Sequence, residues 1–559
     1  MKEFKIILAF LFVSICAHAT SKTVNLANPG TLGAAFTVYD DYLITGLTVT
    51  GPMDYRDFYT IQGLPMLETI DISGANITAI TYQEKNYLAN EIPDYAFYNR
   101  AKITAVSLPN SITKIGWYAF NGCTALTTIN IPTSLSVVGY GSFWSCTNLN
   151  NITLPVGLTS IEDYAFNSCS NLTAINLPAT ITSIKQRSFE NCSSLTTIDL
   201  PNLITSIESG VFTNCTSLSK VTIPNSVTII NQDAFSGCKA LVSITLPESV
   251  VNFGPGIFAN CKGLLSIELP PFTKGLGGYT FNGCVNLTSV KLPNTIQFMG
   301  DSEFEGCSSL NNVVLPTSIT KIGGYMFYGC SSLEGIVVPD NVTSIGEQAF
   351  MNCTNIKNIK IPSTTTSIGS GAFANCSNLV GLWVDQPDPS KITLGQYVFS
   401  GINFMACFLI VPPGSKNLYA TANQWSDFVK VKAKVSGKNN SGSQFQSFNN
   451  IVEFDYVNYA IQYPTFDFVT AYNYLLETGI RDVASTKISM FPSIVKESVQ
   501  IAGVTGKVTV QIYDMQGKLA QSTTLDSNEK LNVKQLPAGT YLLKVKSTSS
   551  IQNLKFIKQ

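Results

Sequence analysis

Apolar residues recur along most of this chain with a fixed period of 23 residues. The consensus of one copy is Phe-x-x-Cys-x-x-Leu-x-x-(Ile/Val)-x-(Leu/Ile/Val), usually followed by Pro. Twelve copies follow one another without a slip, at Phe120, Phe143, Phe166, Phe189, Phe212, Phe235, Phe258, Phe281, Phe304, Phe327, Phe350 and Phe373. A constant period of this length predicts a solenoid of stacked coils, and the extended surface of a solenoid typically binds other molecules.

The spacing inside one copy predicts how each coil folds. Ile198 and Leu200 are two residues apart, so both point to one face of a short strand while Asp199 points to the other. Phe189 and Cys192 are three residues apart, which is typical of one face of a helical turn. Stacking the coils then buries continuous Phe, Cys, Leu and Ile ladders.

The row of cysteines has two readings. One is a buried small apolar residue that fills a ladder position, and the other is a set of disulfides in a secreted chain. Stacked positions lie about 5 Å apart, but their side chains run parallel rather than converging as disulfide geometry requires. We therefore favour free, buried thiols. A thiolate metal site is weaker still, because the sequence has no Cys-x-x-Cys pair.

The Phe-x-x-Cys pairs, the Leu-x-x-Ile-x-Leu-Pro strands and the returns such as Ile322-Gly323 resemble the BspA-like leucine-rich repeat family of bacterial surface proteins. The resemblance covers roughly residues 40–430 and implies a surface protein that acts in adhesion. Proline stands where leucine-rich repeats of the ribonuclease-inhibitor type have Asn or Cys. We therefore expect the coil of a leucine-rich repeat but not the deep horseshoe curvature of that type.

The predicted fold class is therefore a leucine-rich repeat solenoid of short parallel strands and helical turns, followed by a small all-β sandwich. Roughly 13 regular coils are expected between atypical caps. Arg100 stands where the first Cys would be, as in an atypical terminal repeat, and residues 386–390 are an insertion near the other end. Ser415 is the predicted N-cap of a closing helix that runs through Phe428.

A second module follows a Gly/Ser/Asn-rich linker at residues 437–443. Ten aromatic residues come next, and strand core is favoured over a sugar-stacking surface because aromatics are enriched in strands. They are Phe445, Phe448, Phe454, Tyr456, Tyr459, Tyr463, Phe466, Phe468, Tyr472 and Tyr474.

The end of the chain is all-β in character and carries a second resemblance. Phe491-Pro492-Ser493, Asp514 to Lys518, Leu536 to Tyr541 and Lys555 to Lys558 resemble, in order and spacing, the C-terminal sorting domain of type IX secretion cargo. Phe491-Pro492-Ser493 departs from the commoner Tyr-Pro-Asn-Pro form. The resemblance implies a small β-sandwich that engages the type IX machinery and directs the protein to the outer cell surface or the medium.

The predicted domain boundaries follow from these segments. We expect a signal peptide at 1–19, an N-terminal cap with irregular repeats at 20–96, a regular solenoid at 97–411, a cap helix at 412–430, a linker with the aromatic segment at 431–486 and the sorting β-sandwich at 487–559.

The first 19 residues have the features of a secretory leader: Lys2 and Lys5, an apolar run, and Ala17-His18-Ala19 as the cleavage site. Cleavage there removes Cys16 and so leaves 13 of the 14 cysteines, an odd number. It also removes the one histidine, which excludes Ser-His-Asp and Cys-His catalysis and His-ligated metal sites. No other segment is long and apolar enough to span a membrane.

The low charge content of the chain limits the classes of partner to be expected. Charged residues make up only 13% of the chain, and 35 Lys and Arg nearly balance 36 Asp and Glu. A nucleic-acid binder would carry a basic stripe along its surface, so that class of partner is not expected. Neither a cofactor nor a metal is predicted.

One strand position of each coil lies between two inward residues and should form an outward row. Asp199 and Glu268 are its two carboxylates, and at three coils apart they are separated by about 14 Å. Glycosidase carboxyl pairs lie about 5–9.5 Å apart, so we expect no enzyme. The row is Asn130, Thr153, Asn176, Asp199, Thr222, Thr245, Glu268, Lys291, Val314, Val337, Lys360 and Trp383.

The second half of this row is the candidate partner-binding site. Exposed Val and Trp beside Lys are unusual on a solvated face, and exposed Trp is enriched in binding hot spots. Trp383 has an equally weighted alternative, which is to pack under the 386–390 insertion. The predicted site residues are Lys291, Val314, Val337, Lys360 and Trp383.

The function predicted from the sequence is a secreted, surface-displayed adhesin or interaction scaffold, whose partner is a host matrix protein or another cell's surface. A carbohydrate-binding surface protein is the alternative, with Trp383 and the aromatic segment as contacts. A purely structural envelope protein is the third reading.

Overall fold

The computed structural model describes residues 20–37, 40–429, 431–434, 445–448, 451–453, 489–491, 494–495, 498–502, 507–514, 519–526, 530–537, 539–546 and 551–558. The chain divides into two compact units, residues 1–454 and 455–559. The predicted leader, the 437–443 linker and most of the aromatic segment lie outside the described residues.

The solenoid predicted from the repeat is confirmed. Its coils pair through short parallel strands, here called the front strands, with partners 23 residues apart, as Ile267 lies beside Val290. The front strands are Ala105–Ser107, Thr128–Asn130, Asn151–Thr153, Ala174–Asn176, Thr197–Asp199, Lys220–Thr222, Ser266–Glu268, Ser289–Lys291, Asn312–Val313, Gly335–Val337, Asn358–Ile361, Gly381–Val384 and Phe408–Val411.

A second row of parallel strands runs along another side of each coil, at the Ile positions of the return path. These strands are Glu91–Ile92, Lys114–Ile115, Val137–Val138, Ser160–Ile161, Ser183–Ile184, Ser206–Ile207, Ile229–Ile230, Asn252–Phe253, Gly275–Leu276, Phe298–Met299, Lys321–Ile322, Ser344–Ile345, Ser367–Ile368 and Thr393–Leu394.

The third side of each coil, the turn side, differs from the prediction. The helical turn expected between Phe189 and Cys192 is instead a run of tight turns, because Arg187 (φ 53°) and Asn191 (φ 61°) are left-handed. Left-handed residues cannot continue a right-handed helix. The backbone bonds from coil to coil here as well, since the Phe189 N–H donates to the Val211 carbonyl at 3.1 Å.

The repeated phenylalanines form one continuous stack inside the coils. Phe120 to Phe373 are all fully buried. Neighbouring rings, such as Phe143 and Phe166, have centroids 5.4 Å apart and planes 3° apart. The predicted Phe ladder is thus confirmed, and offset stacking adds to the gain from burying each ring.

The cysteines are free and buried, as expected for ladder residues. The structure adds a role that the sequence did not suggest. The twelve thiols from Cys123 to Cys376 each donate to the carbonyl of the phenylalanine in the preceding coil, as Cys192 Sγ does to the Phe166 oxygen at 3.2 Å. That carbonyl also accepts the Cys169 N–H at 3.1 Å. Cysteine therefore fills a small apolar site and supplies a weak donor.

These thiols should be chemically silent in the folded protein. Burial raises the pKa of Cys123 to about 12, and the thiolate is the reactive form. We expect no reaction with a disulfide reagent at pH 8 in native protein, and reaction of all 13 buried thiols in guanidinium. Rapid labelling of the native protein would contradict this, because it would require the coils to open.

An irregular cap covers the N-terminal end of the solenoid. Helix α1, Tyr55–Gln62, begins after Asp54, whose side chain accepts the Arg56 N–H in a capping box. Arg100, in place of the first Cys, donates to the carbonyls of Gln62 and Leu64 behind this helix. The cap strands are Thr20–Asn25, Ile44–Met53, Thr69–Asp71, Ala75–Ile77, Ile80–Tyr82 and Lys85–Tyr87.

The C-terminal cap contains a shorter helix than predicted. Helix α2 covers only Lys416–Thr421, and the side chain of Ser415 makes no capping hydrogen bond. A 3-10 turn, Trp425–Phe428, follows. Three further strands lie in the segment predicted as linker: Val431–Lys434, Phe445–Phe448 and Ile451–Glu453. The last of them pairs with Phe408–Val411.

The C-terminal unit has two sheets, in agreement with the predicted sandwich. One sheet has three antiparallel strands, and the other has five strands that are antiparallel apart from one pair. Leu531 from the first sheet and Val510, Ile512 and Leu543 from the second share one buried core. The strands are Ser489–Phe491, Ile494–Val495, Ser498–Ala502, Val508–Asp514, Leu519–Leu525, Lys530–Asn532, Gly539–Lys546 and Ile551–Lys558. Pro492, Ser493 and residues 515–518 of the sorting-domain resemblance lie outside the described residues.

Candidate interaction surface

The front strands present one face to solvent, as their spacing predicts. In Ser266–Glu268 the middle residue Ile267 is buried and its two neighbours are exposed. Most front strands between residues 128 and 337 repeat this pattern. The result is a flat, two-row exposed face that grows by one strand per coil, about 4.8 Å.

Lys291 lies on this face where the sequence placed it. Its ammonium forms an ion pair with Glu268 of the preceding coil, and both side chains are more than half exposed. An exposed ion pair stabilises a fold by about 0–1 kcal/mol, so the pair is not required for folding.

Val314 and Val337 are the most exposed apolar residues of the row. Val314 is 73% exposed and Val337 is 70% exposed. They come from adjacent coils, so their side chains lie about one strand spacing apart and form one small apolar area. A shallow depression of ≈ 290 Å³ borders Val314 and is also lined by Ser266, Glu268, Ser289, Lys291 and Asn312.

Lys360 was predicted to be exposed, and that is wrong. Only 15% of its side chain is accessible, and its ammonium lies 2.7 Å from the Asp385 carboxylate and 3.7 Å from Asp340. Burial raises the pKa of Asp385, while the Lys360 charge opposes that shift. Asp385 stands where other coils have proline, and the pair joins two neighbouring coils.

For Trp383 two alternatives had equal weight, and the one that left it exposed is wrong, because it is only 2% exposed. All four residues of its strand, Gly381–Val384, are buried. Its register neighbour Ile410 is only 4% exposed. The outward side of the sheet is thus covered near its last coils. Of the five predicted residues, the structure brings only Lys291, Val314 and Val337 together on an open surface.

A second surface, on the turn side of the first coils, was missed from the sequence. Its seven aromatic residues, here called the aromatic patch, occupy three positions of the repeat: three and two residues before the phenylalanine and one after it. They are Tyr95, Tyr98, Trp117, Tyr118, Tyr140, Trp144 and Tyr164. The signal that could have revealed the patch is the density of Tyr and Trp at these repeat positions in the first four coils, since the later coils carry only Tyr279, Tyr325, Tyr328 and Tyr397 there.

Among the described residues, no group of three or more His, Cys, Asp or Glu side chains is arranged to hold a metal ion. No helix within the described ranges is long and apolar enough to cross a membrane.

The repeat is matched by a known family profile, described as the BspA type leucine rich repeat region. It matches residues 90–219, 205–334 and 274–406, which together make up more than half of the chain. The chain belongs to the BspA type leucine-rich repeat family. This confirms the resemblance drawn from the Phe-x-x-Cys copies. The family match also agrees with the observed coils of this BspA type solenoid, whose front strands pair 23 residues apart.

Residues 489–559 match the secretion system C-terminal sorting domain. The protein is therefore a leucine-rich repeat protein with a type IX sorting tail, exported to the cell surface or the medium. The match confirms the second resemblance and covers the whole described part of the C-terminal sandwich.

Two solved structures are similar to this BspA type protein. A leucine-rich repeat protein from Bacteroides ovatus ATCC 8483 is 30% identical, with 56% of this chain and 86% of that chain covered and a TM-score of 0.47. A leucine rich cell surface protein from Faecalibacterium prausnitzii A2-165 is 28% identical, with 55% and 86% covered and a TM-score of 0.38. No curated protein sequence matches the chain.

Proposed function

We propose that the protein is a surface-displayed adhesin or interaction scaffold that binds another protein through the exposed front face. The observation that carries this proposal is the pair Val314 and Val337, 73% and 70% exposed in adjacent coils. A single exposed valine is ordinary on a protein surface, but two in adjacent coils form one apolar area on an otherwise polar face. Their exposure is explained if a partner covers them.

The surroundings of the two valines suit a protein partner. Protein interfaces have a small apolar centre and a polar, solvated rim. Here Ser289, Lys291 and Asn312 line the depression beside Val314. The face carries charges of both signs, since Glu268 pairs with Lys291. Such a face favours neither a polyanion nor a polycation.

We propose a binding role rather than a catalytic one. Asp199 and Glu268, the carboxylates of the outward row, belong to front strands three coils apart. That separation is about 14 Å by strand spacing, too far for the paired carboxylates of a glycosidase. Glu268 is also engaged by Lys291.

The test uses the secreted full-length protein and a panel of immobilised matrix proteins: collagen, fibronectin and laminin. Val314→Asp and Val337→Asp place a charge in the apolar area and should each weaken binding at least tenfold. Val156→Asp is the matched control, because Val156 is 86% exposed and belongs to an earlier coil outside this face. Circular dichroism checks that the variants fold.

Other outcomes assign the function differently. Protein binding that is equal in all three variants would move the site off the front face. Binding to none of the proteins, together with a leaky envelope on deletion of the gene, would favour the structural reading.

A further inference from the structure

The aromatic patch concentrates aromatic side chains in a short stretch of the solenoid. It contains two of the four tryptophans of the chain, and the other two, Trp383 and Trp425, are buried. Trp117 is 55% exposed, Tyr95 45% and Tyr98 43%. The patch is thus an open surface and not part of the Phe core.

The rings are arranged as a ladder along the solenoid axis. Tyr95 and Tyr118 have centroids 5.3 Å apart, and Trp144 and Tyr164 have centroids 5.1 Å apart. Trp144 lies 6.2 Å from Tyr118 with an interplanar angle of 27°. These separations are those of offset stacked rings, and the rings of Tyr118, Trp144 and Tyr164 are half-buried.

A glycine makes the ladder continuous. Gly141 has φ 54° and occupies the repeat position between Tyr118 and Tyr164. A Cβ atom at Gly141 would lie 2.9 Å from the Tyr118 ring and 3.5 Å from Trp144. Its absence lets Trp144 fill the gap in the row of tyrosines.

The fold does not require aromatic residues at these positions. Other coils carry Gln186 or Gln232 in place of Trp117, and Asn121 or Asn167 in place of Trp144. Outside the patch, the Tyr118 position carries Gly, Ser, Arg, Asp or Gln in most copies and Tyr in three, at Tyr279, Tyr325 and Tyr397.

The tyrosines are also placed where a bulky residue is disfavoured. Tyr95, Tyr118 and Tyr164 have φ values of 60°, 54° and 59°. A left-handed conformation costs a non-glycine residue roughly 1–2 kcal/mol. The same repeat position is also left-handed at Arg187, Asp233 and Gln348, so this backbone conformation belongs to the coil and not to the patch alone.

The polar groups of the patch define what it can bind. The three repeat positions, over the four coils from Asp94 to Asn167, contain no Lys, no Arg and no aliphatic side chain. Besides the aromatics they hold Asp94, Asp163, Asn121, Asn167 and Gly141. Asp94 is paired with Lys85 at 3.0 Å, so the patch has little net charge and favours neither an anionic nor a cationic polymer. A protein-binding hot spot would normally include aliphatic contacts.

We propose that the aromatic patch binds a neutral glycan chain that lies along the solenoid axis. The C–H faces of pyranose rings stack on the open parts of the Tyr and Trp rings. Sugar hydroxyls donate to Asp163 and exchange hydrogen bonds with the tyrosine hydroxyls. Coils repeat at about 4.8 Å, and one sugar of an extended β-1,4-linked chain advances by nearly the same length, so successive sugars meet successive coils.

The probes are cellohexaose, mannohexaose and chitohexaose, added to the secreted full-length protein. Trp117 and Trp144 are the accessible tryptophans among the described residues, so fluorescence quenching by acrylamide reports on the patch. We expect at least one hexasaccharide to reduce quenching in a saturable way.

The repeat supplies its own tolerated replacements for the variants. Trp117→Gln, Tyr118→Ser and Trp144→Asn introduce residues that other coils carry at the same positions. Each should weaken glycan binding at least tenfold, as measured by calorimetry. Tyr279→Ser is the matched control, because Tyr279 is in the same row as Tyr118, is 52% exposed and lies outside the patch.

Two results would overturn the proposal. One is the absence of binding to all three hexasaccharides, and the other is glycan binding that is unchanged in the three patch variants. Loss of matrix-protein binding in these variants, without glycan binding, would assign the patch to a protein instead. The Val314→Asp and Val337→Asp variants leave the aromatic patch intact. Their effect on matrix-protein binding therefore tests the front-face proposal independently of the glycan proposal.

Discussion

Replacing Phe235 with alanine lowers the free energy of unfolding by about 3–5 kcal/mol, the range for a phenylalanine lost from a core. Phe235 is fully buried, and its ring centroid lies 5.5 Å from that of Phe212 and 5.8 Å from that of Phe258. The Phe235 N–H donates to the Ile257 carbonyl at 3.0 Å, which holds the coil in place. The cavity therefore cannot collapse, and denaturation in guanidinium, followed by circular dichroism, measures the loss.

Phe272→Ala is the control for this prediction. Phe272 is 60% exposed, so its removal should change the free energy of unfolding by no more than about 0.5 kcal/mol. Equal effects of the two substitutions would mean that the Phe stack contributes nothing beyond the backbone ladders.

The repeat predicted the parts of the fold that depend on local spacing. Ile198 faces inward and Asp199 outward because side chains alternate along a strand, and the structure has both as expected. The same rule placed Lys291, Val314 and Val337 correctly on an exposed face. The period alone was enough to predict the stacking of the coils.

The spacing of residues along a strand could not show whether other residues cover the outward face of the sheet. Lys360 and Trp383 are outward by register, yet Lys360 is held by Asp385 and Trp383 is buried. Those positions depend on contacts made by the last coils and the cap, which are set by tertiary packing. Alternation along a strand says which side a residue takes and nothing about whether that side is covered.

The turn side was misread for a different reason. A Phe-x-x-Cys spacing fits both a helical turn and a run of tight turns. The deciding signal was the residue before Cys, which is Asn, Gly or Ser in all twelve copies. Glycine and asparagine tolerate left-handed backbone, and the structure has φ 61° at Asn191 and 75° at Gly237. The same turns create the outer positions that hold the aromatic patch.

The thiol row is compatible with export to an oxidising environment. Thiols form disulfides through the thiolate and need access to a partner. Burial raises the pKa of Cys192 to about 12, and its Sγ is engaged with the Phe166 carbonyl. Once the coils have stacked, the odd number of cysteines therefore leaves no accessible thiol to form a disulfide with another chain.

Glu303→Ala is expected to lower the free energy of unfolding by about 2–4 kcal/mol, because buried N–H groups lose their acceptor. Glu303 is fully buried. Its carboxylate accepts the N–H groups of Gly278 and Gly300 at 3.0 Å and that of Thr280 at 3.1 Å. Only the Gly300 N–H has a second acceptor, the Leu276 carbonyl. Glu334→Ala is the control, because its surface pair with Lys357 is exposed and contributes about 0–1 kcal/mol.

The pH dependence of stability gives a second measurement at Glu303. Burial raises its pKa above the ordinary value of 4.5, although the three N–H groups oppose the shift. The folded state then holds the proton more tightly than the unfolded state. The part of the stability that depends on protonation of Glu303 is fully present below pH 4.5 and is lost as the pH rises through the folded pKa. Glu303→Gln cannot titrate, so between pH 4 and pH 7 the native protein should lose stability relative to this variant. A constant difference across that range would show that the pKa of Glu303 is not raised by folding.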